Sequence, residues 1–191
     1  MATTRPGGRT ARTRATVFAT VEALLAEKPP GEVSMVEIAE RAGVAATSLY
    51  RRWGDVRTLL MEVAVERLMR DWPLPDTGTL RGDLLAWIKA VAASLANPAG
   101  SIFFRVYVGT TPSSADRNSG RAQAVMRRIE QIDAMLERAR MRGETAPEVF
   151  EVTDHLLAPI YMRALFGFPA DEATAEGLVT YLLNAVAARV E

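Results

Sequence analysis

Apolar residues recur at three- and four-residue spacing along nearly the whole chain, and nothing alternates with period two for long, so the pattern predicts an all-α protein. A first helix is expected over 10–28, with Val17, Val21, Leu24 and Leu25 on one face and "PPG" ending it. Next, Met35, Ile38, Ala39 and Ala42 give a short helix one narrow buried face. Ser34 and Glu37 have the spacing of a capping box, in which Ser34 accepts the Glu37 amide and the Glu37 side chain reaches back. Gly43 supplies a left-handed turn, with Val44 plugging the corner. A second short helix then begins near Ala45. At 100° per residue, Ala46, Leu49, Tyr50 and Trp53 share one side of it, and Thr47, Ser48, Arg51 and Arg52 the other.

Gly54-Asp55 breaks that helix, and Val56, Leu59, Leu60, Val63, Ala64 and Leu68 define a fourth, to about Arg70. "DWPLPDTGT" at 71–79 is the natural seam between modules. Beyond it come a fifth helix with apolar positions from Leu80 to Leu95, stopped by Asn97-Pro98, a short apolar sixth near 99–108, a polar loop "GTTPSSADRNSG", and a seventh over 121–142. An eighth covers 147–166 and a ninth 171–190, making about nine helices. Pro159 removes a helix hydrogen bond one turn after His155, which predicts a kink in the eighth.

The 191 residues contain no Cys and one His, which excludes disulfides, thiolate zinc sites and histidine-rich metal chemistry, so neither a metal site nor a cofactor is expected. No apolar run approaches the roughly 18 residues needed to cross a bilayer and no secretory leader is recognisable, so a cytoplasmic protein is expected. Net charge is zero, yet residues 1–60 hold nine Lys/Arg against six acids, a local anion-binding bias. Residues 1–9 are expected to be a disordered basic arm. Arg5, Arg9, Arg12 and Arg14 leave two readings open, a plain tail or an arm following the DNA backbone or minor groove.

Two short helices joined by a tight turn and backed by a longer one form a helix-turn-helix pattern. Arg matches guanine O6 and N7 or neutralises phosphate, and Ser and Thr hydroxyls serve either role, so the polar face of the second short helix is the candidate reading surface. "SMVEIAERAGVAATSLYRRWGDVRTLLMEVA", Ser34 to Ala64, resembles the signature of the TetR family of bacterial transcriptional regulators at Ser34, Ile38, Ala39, Ala42, Gly43, Val44, Leu49, Tyr50, Arg52, Trp53, Leu59 and Leu60. Two departures stand out. Ala45 replaces the usual Ser cap of the recognition helix, at a cost of about 1 kcal/mol. Val56 replaces a usual phosphate-binding Lys, leaving Arg57 as the nearby candidate.

The resemblance implies a three-helix DNA-binding domain (10–55), a connecting helix (56–70) and a C-terminal helical bundle for ligand binding and dimerisation (80–191). It implies a homodimer on a palindromic operator in double-stranded DNA, most simply a repressor released by a small molecule. Ala46, Thr47, Ser48, Arg51 and Arg52 fall on the groove-facing part, with Ser34 and Tyr50 at phosphate-touching positions. In the C-terminal part Trp87, Phe103, Phe104, Tyr107, Met126, His155, Tyr161, Met162 and Phe166 are candidates for a cavity taking a hydrophobic ligand, each also readable as ordinary core, His155 in particular as a satisfied core histidine. Phe150, Leu157, Tyr161 and Leu165 of the eighth helix, with Leu178, Leu182, Ala185 and Val186 of the ninth, are surplus to one small core and suggest a two-fold seam. The alternatives are a helical-bundle enzyme, disfavoured because one His cannot supply two Glu-x-x-His pairs and no nucleophile elbow or P-loop occurs, and an interaction module with a degenerate DNA-binding head. No catalytic residue is expected.

Overall fold

The computed structural model describes residues 8–109 and 120–189, and among them all regular structure is helical. Arg5 of the expected arm and most of the loop after residue 109 lie outside the described residues, whereas Arg9 opens the first helix. The chain divides into two compact units, with the boundary between Ala64 and Val65 and residues 106–109 assigned to the first.

In the first unit, α1 (Arg9–Glu27) buries Val17, Phe18, Val21, Leu24 and Leu25 and ends where Pro29 and Pro30 remove two amide donors. Helix α2 (Met35–Ala42) starts at Ser34, whose hydroxyl accepts the Glu37 N–H at 3.2 Å. Only half of the expected capping box forms. The Glu37 carboxylate pairs with Lys28 of the preceding turn instead of reaching back to Ser34, because a full charge is the stronger partner. Gly43, at φ 66°, closes the helix as a Schellman turn: Val44 N–H donates to the Ala39 carbonyl at 3.0 Å and Gly43 N–H to that of Glu40 at 3.2 Å. Helix α3 (Ala46–Trp53) follows after three residues and stops at Gly54, φ 77°. Asp55 then starts α4 (Val56–Asp71), its carboxylate accepting the Thr58 N–H at 2.7 Å.

In the second unit, α5 (Leu80–Ala96) is buried along one side at Leu80, Leu84, Trp87, Ile88, Val91 and Leu95. It packs most extensively against α10 (Glu172–Ala187) and also against α7 (Gly120–Met141). Helix α6 (Pro98–Gly109) buries Phe103 and Phe104. The expected eighth helix is three segments rather than one: α8 (Val149–Val152), a π turn (Thr153–Leu157) and α9 (Ala158–Leu165). The wide turn, with Ala158 N–H reaching five residues back to the Thr153 carbonyl, comes immediately before the proline that cannot donate, so the distortion predicted at Pro159 is absorbed one turn earlier as a π turn.

Candidate nucleic-acid interface

Helix α3 separates into two faces. Leu49 and Trp53 are buried, while Thr47, Tyr50, Arg51 and Arg52 are exposed and Ala46 and Ser48 are half-buried. Tyr50 corrects the apolar grouping made from periodicity: it sits at the boundary of the two faces and is 48% exposed, its ring outside the core. Ser34 and Arg57 are exposed as well.

What holds α3 is a polar clamp on one carboxylate. The buried indole Nε1 of Trp53 donates to Glu62 Oε2 at 2.7 Å, and Arg14 donates to Glu62 Oε1 through Nη2 at 2.9 Å and Nε at 3.2 Å. The Arg14 guanidinium also lies 4.0 Å from the centroid of Phe18, whose ring is 6.4 Å from that of Trp53. Glu62 thus ties α1, α3 and α4 together. Arg14, grouped in sequence with a possible arm, is a structural residue of α1. Neither role was legible from periodicity; the available signal was a buried Trp, whose N–H requires an acceptor.

Several cations of this unit are consumed internally. Arg41 pairs with Glu27 at 2.7 Å and Lys28 with Glu37. Among the described residues Arg51 carries no ion pair, and Arg52 stacks at 5.0 Å on the Trp53 ring, which leaves its guanidinium edge outward. Arg12, with Thr13 and Thr16 of α1, lines an open cleft of about 510 Å³ beside Gly43 and Val44 of the turn. The resulting surface is one of guanidinia and hydroxyls on a rigidly backed helix, suited to phosphate oxygens and guanine edges.

The start of α3 is weak. Ala45 has extended backbone geometry (φ −69°, ψ 130°) and offers no side-chain acceptor to the first turn. Ala45→Ser is therefore expected to stabilise the protein by about 1 kcal/mol. A thermal melt followed by circular dichroism should rise by roughly 2–4 °C.

The candidate ligand residues do not all come together. Trp87, Phe103 and Phe104 are buried within the second unit, and Tyr161 is half-buried against Phe104, ring centroids 4.8 Å apart. Tyr107 is half-buried and belongs to the first unit. Met126, His155, Met162 and Phe166 are exposed. His155 is not a core histidine: its ring meets that of exposed Tyr181 edge-on at 6.5 Å. Of the residues assigned to a dimer seam, Leu157, Leu182 and Val186 are buried in the chain's own core, Phe150 and Leu165 are exposed, and Leu178 and Ala185 are half-buried. Helical spacing shows which residues share a face, but not which neighbouring element covers it.

A two-unit helical chain with a helix-turn-helix head and an outward guanidinium pair defines a DNA-binding transcriptional regulator. The chain belongs to the TetR family: residues 19–63 match the model for bacterial regulatory proteins of the tetR family, and residues 74–182 match that for the tetracyclin repressor-like C-terminal domain. It is 31% identical over 136 residues to the HTH-type transcriptional regulator AqdR of Rhodococcus erythropolis, an alignment that takes in 71% of this chain and 65% of that relative's length. An uncharacterised HTH-type transcriptional regulator of Bacillus subtilis, YdeS, is 25% identical over 164 residues, 85% of this chain and 82% of the relative. The fold superposes with a TM-score of 0.76 on the crystal structure of the TetR family transcription regulator SCO0332, at 28% identity over 91% of this chain and 98% of that one.

Proposed function

We propose that the protein is a ligand-responsive repressor that binds a palindromic operator as a homodimer and is released by a small molecule. The observation that carries the DNA-binding part is the face of α3, which turns Thr47, Arg51 and Arg52 outward while Leu49, Trp53 and the Glu62 clamp fix it from behind. Ala46 and Ser48 border that face, Ser34, Tyr50 and Arg57 contact flanking phosphates, and Arg12 beside the turn adds a backbone contact. A dimer is supported by apolar side chains left outward on the second unit, Met162 and Leu165 of α9 and Tyr181 of α10, alongside the half-buried Leu178 and Ala185. The dimer places two copies of α3 on successive half-sites.

No helix among the described residues is long and apolar enough to cross a membrane, and the protein is assigned to the cytoplasm, where its operator lies. Ligand in the C-terminal domain acts through α4, whose first residues belong to one unit and whose last residues belong to the other. A small change in recognition-helix spacing loses both half-sites together. A gel shift with DNA from the neighbouring genomic region tests the proposal. A retarded band containing two chains per duplex is expected. A band no tighter than that of an unrelated duplex would contradict it.

A further inference from the structure

Among the described residues, the second unit contains three buried nitrogen donors with neither a hydrogen-bond acceptor nor an opposite charge beside them: Trp72 Nε1, Trp87 Nε1 and Arg128 Nη2. Buried N–H groups in folded proteins are nearly always paired, so three in one cluster require a reason. They cluster around the guanidinium. Arg128 donates through Nη1 to the Trp72 carbonyl at 2.9 Å, and its Cζ lies 5.9 Å from the centre of the Trp87 ring. Tyr161 stands beside them, 6.2 Å from Trp72 and 4.8 Å from Phe104 between ring centres. Trp72 and Trp87 are 3% and 1% exposed.

The chemistry of what is missing is consistent. All three atoms around the guanidinium are donors, which an acceptor would satisfy. The guanidinium has no carboxylate within ion-pair distance among the described residues, so the absent charge is negative. Burial pulls Arg128 below its usual pKa, with the neighbouring Tyr161 opposing, as befits a cation stripped of water without a counter-charge. The other two orphaned polar atoms of this unit, Asp83 Oδ2 and Arg138 Nε, differ in having an opposite charge 3.5 Å away. The rings of Trp87, Tyr161 and Phe104 adjoin these donors.

We propose that this cluster binds an aromatic carboxylate, its acid group on the Arg128 fork and its ring against Trp87, Phe104 and Tyr161. The inference rests on the reading of this domain as the ligand-binding one, and it narrows the expected hydrophobic ligand to an aromatic acid. It also supplies a route to α4. Trp72 continues that helix, its N–H donating to the Leu68 carbonyl at 3.1 Å, and its own carbonyl is held by Arg128. A carboxylate arriving on the fork competes with that carbonyl, so occupancy and the anchoring of the helix end become linked.

Isothermal titration calorimetry of the full chain without DNA, using 2-naphthoate, its neutral amide and acetate, tests the site. The acid should bind saturably and at least about tenfold tighter than 2-naphthamide or acetate, the margin of a charge-assisted bidentate pair. Arg128→Met should weaken 2-naphthoate by about tenfold or more and leave the amide within about threefold, with Arg128→Lys between. Circular dichroism melts certify each variant's fold. If Arg128→Met fails to fold, Trp87→Phe, which keeps a ring and removes the indole donor, should still weaken the acid more than the amide. Equal affinity for acid and amide, equal affinity for acetate, no binding of 2-naphthoate at millimolar concentration, or no effect of these substitutions would overturn the proposal. Operator release is read separately. Arg128-dependent binding without release would retain this site and refute ligand-responsiveness, whereas release by 2-naphthamide with no binding of 2-naphthoate would retain responsiveness and overturn this site.

Discussion

Arg51→Ala and Arg52→Ala are each expected to abolish specific operator binding while leaving the dimer and the melting temperature unchanged. Both side chains are exposed on the outer face of α3, so neither contributes appreciably to the core. A base or charged phosphate contact is worth about 1–3 kcal/mol, and a dimer loses it in both half-sites, so each substitution should weaken binding by at least roughly 30-fold and the pair by far more. The two residues should differ in kind. Arg51, exposed and without an ion pair among the described residues, is the proposed base contact, and its loss should flatten discrimination between operator and mutated operator. Arg52, stacked on Trp53, is held in a fixed orientation, and exchanging it for Lys should lose most of that geometry although the charge remains. Fluorescence anisotropy titrations at several salt concentrations measure both effects. Unchanged affinity in both alanine variants would refute the assignment of α3 as the reading helix.

The second large effect belongs to the second unit. Asp83 is fully buried in the first turn of α5, where its Oδ1 accepts the Thr77 N–H at 2.5 Å and the Thr77 hydroxyl at 2.7 Å, and its Oδ2 faces Arg142 at 3.5 Å. Arg142 is shared with Glu144 at 2.9 Å, and Glu144 in turn accepts the Leu80 N–H at 2.8 Å. These contacts pin the turn before α5 to the end of α7. Asp83→Ala strands a backbone donor and a cation beside it, which should cost about 3 kcal/mol and lower the melting temperature by roughly 6–12 °C. Asp76, 62% exposed and 3.8 Å from the same Arg142, is the matched control: its alanine variant should cost less than about 1 kcal/mol. Similar small losses in both would show that the buried carboxylate does not hold this turn.

Much of the first unit was legible in the sequence because its signals are local. A Ser cap, a glycine in the left-handed region, two prolines and a 3.6-residue apolar period act within a few residues, and α1 to α4 lie close to where those signals place them. The polar face of α3 followed from the same periodicity, apart from Tyr50 at its edge. The Glu62 clamp did not, since it joins residues 48 and 9 positions apart and depends on how three helices pack. The second unit was harder for the same reason. Its helices were readable, yet whether Leu182 or Tyr181 faces outward depends on which side α5 covers, and Asp83 reads in sequence like any solvated first-turn acid. Arg128 likewise looks like one of several arginines on α7. Only its neighbours Trp72 and Trp87, 56 and 41 positions away, set it apart.

Whether the outward face of α3 reads DNA sequence can be tested without knowing the operator. Purified protein is mixed with a pool of random duplexes, and bound duplexes are recovered and sequenced over several rounds. The expected result is enrichment of an inverted repeat with half-sites about one or two helical turns apart, lost when Arg51 and Arg52 are both alanine. A pool that stays random with the native chain, or an identical repeat enriched by the double variant, would contradict that role for α3.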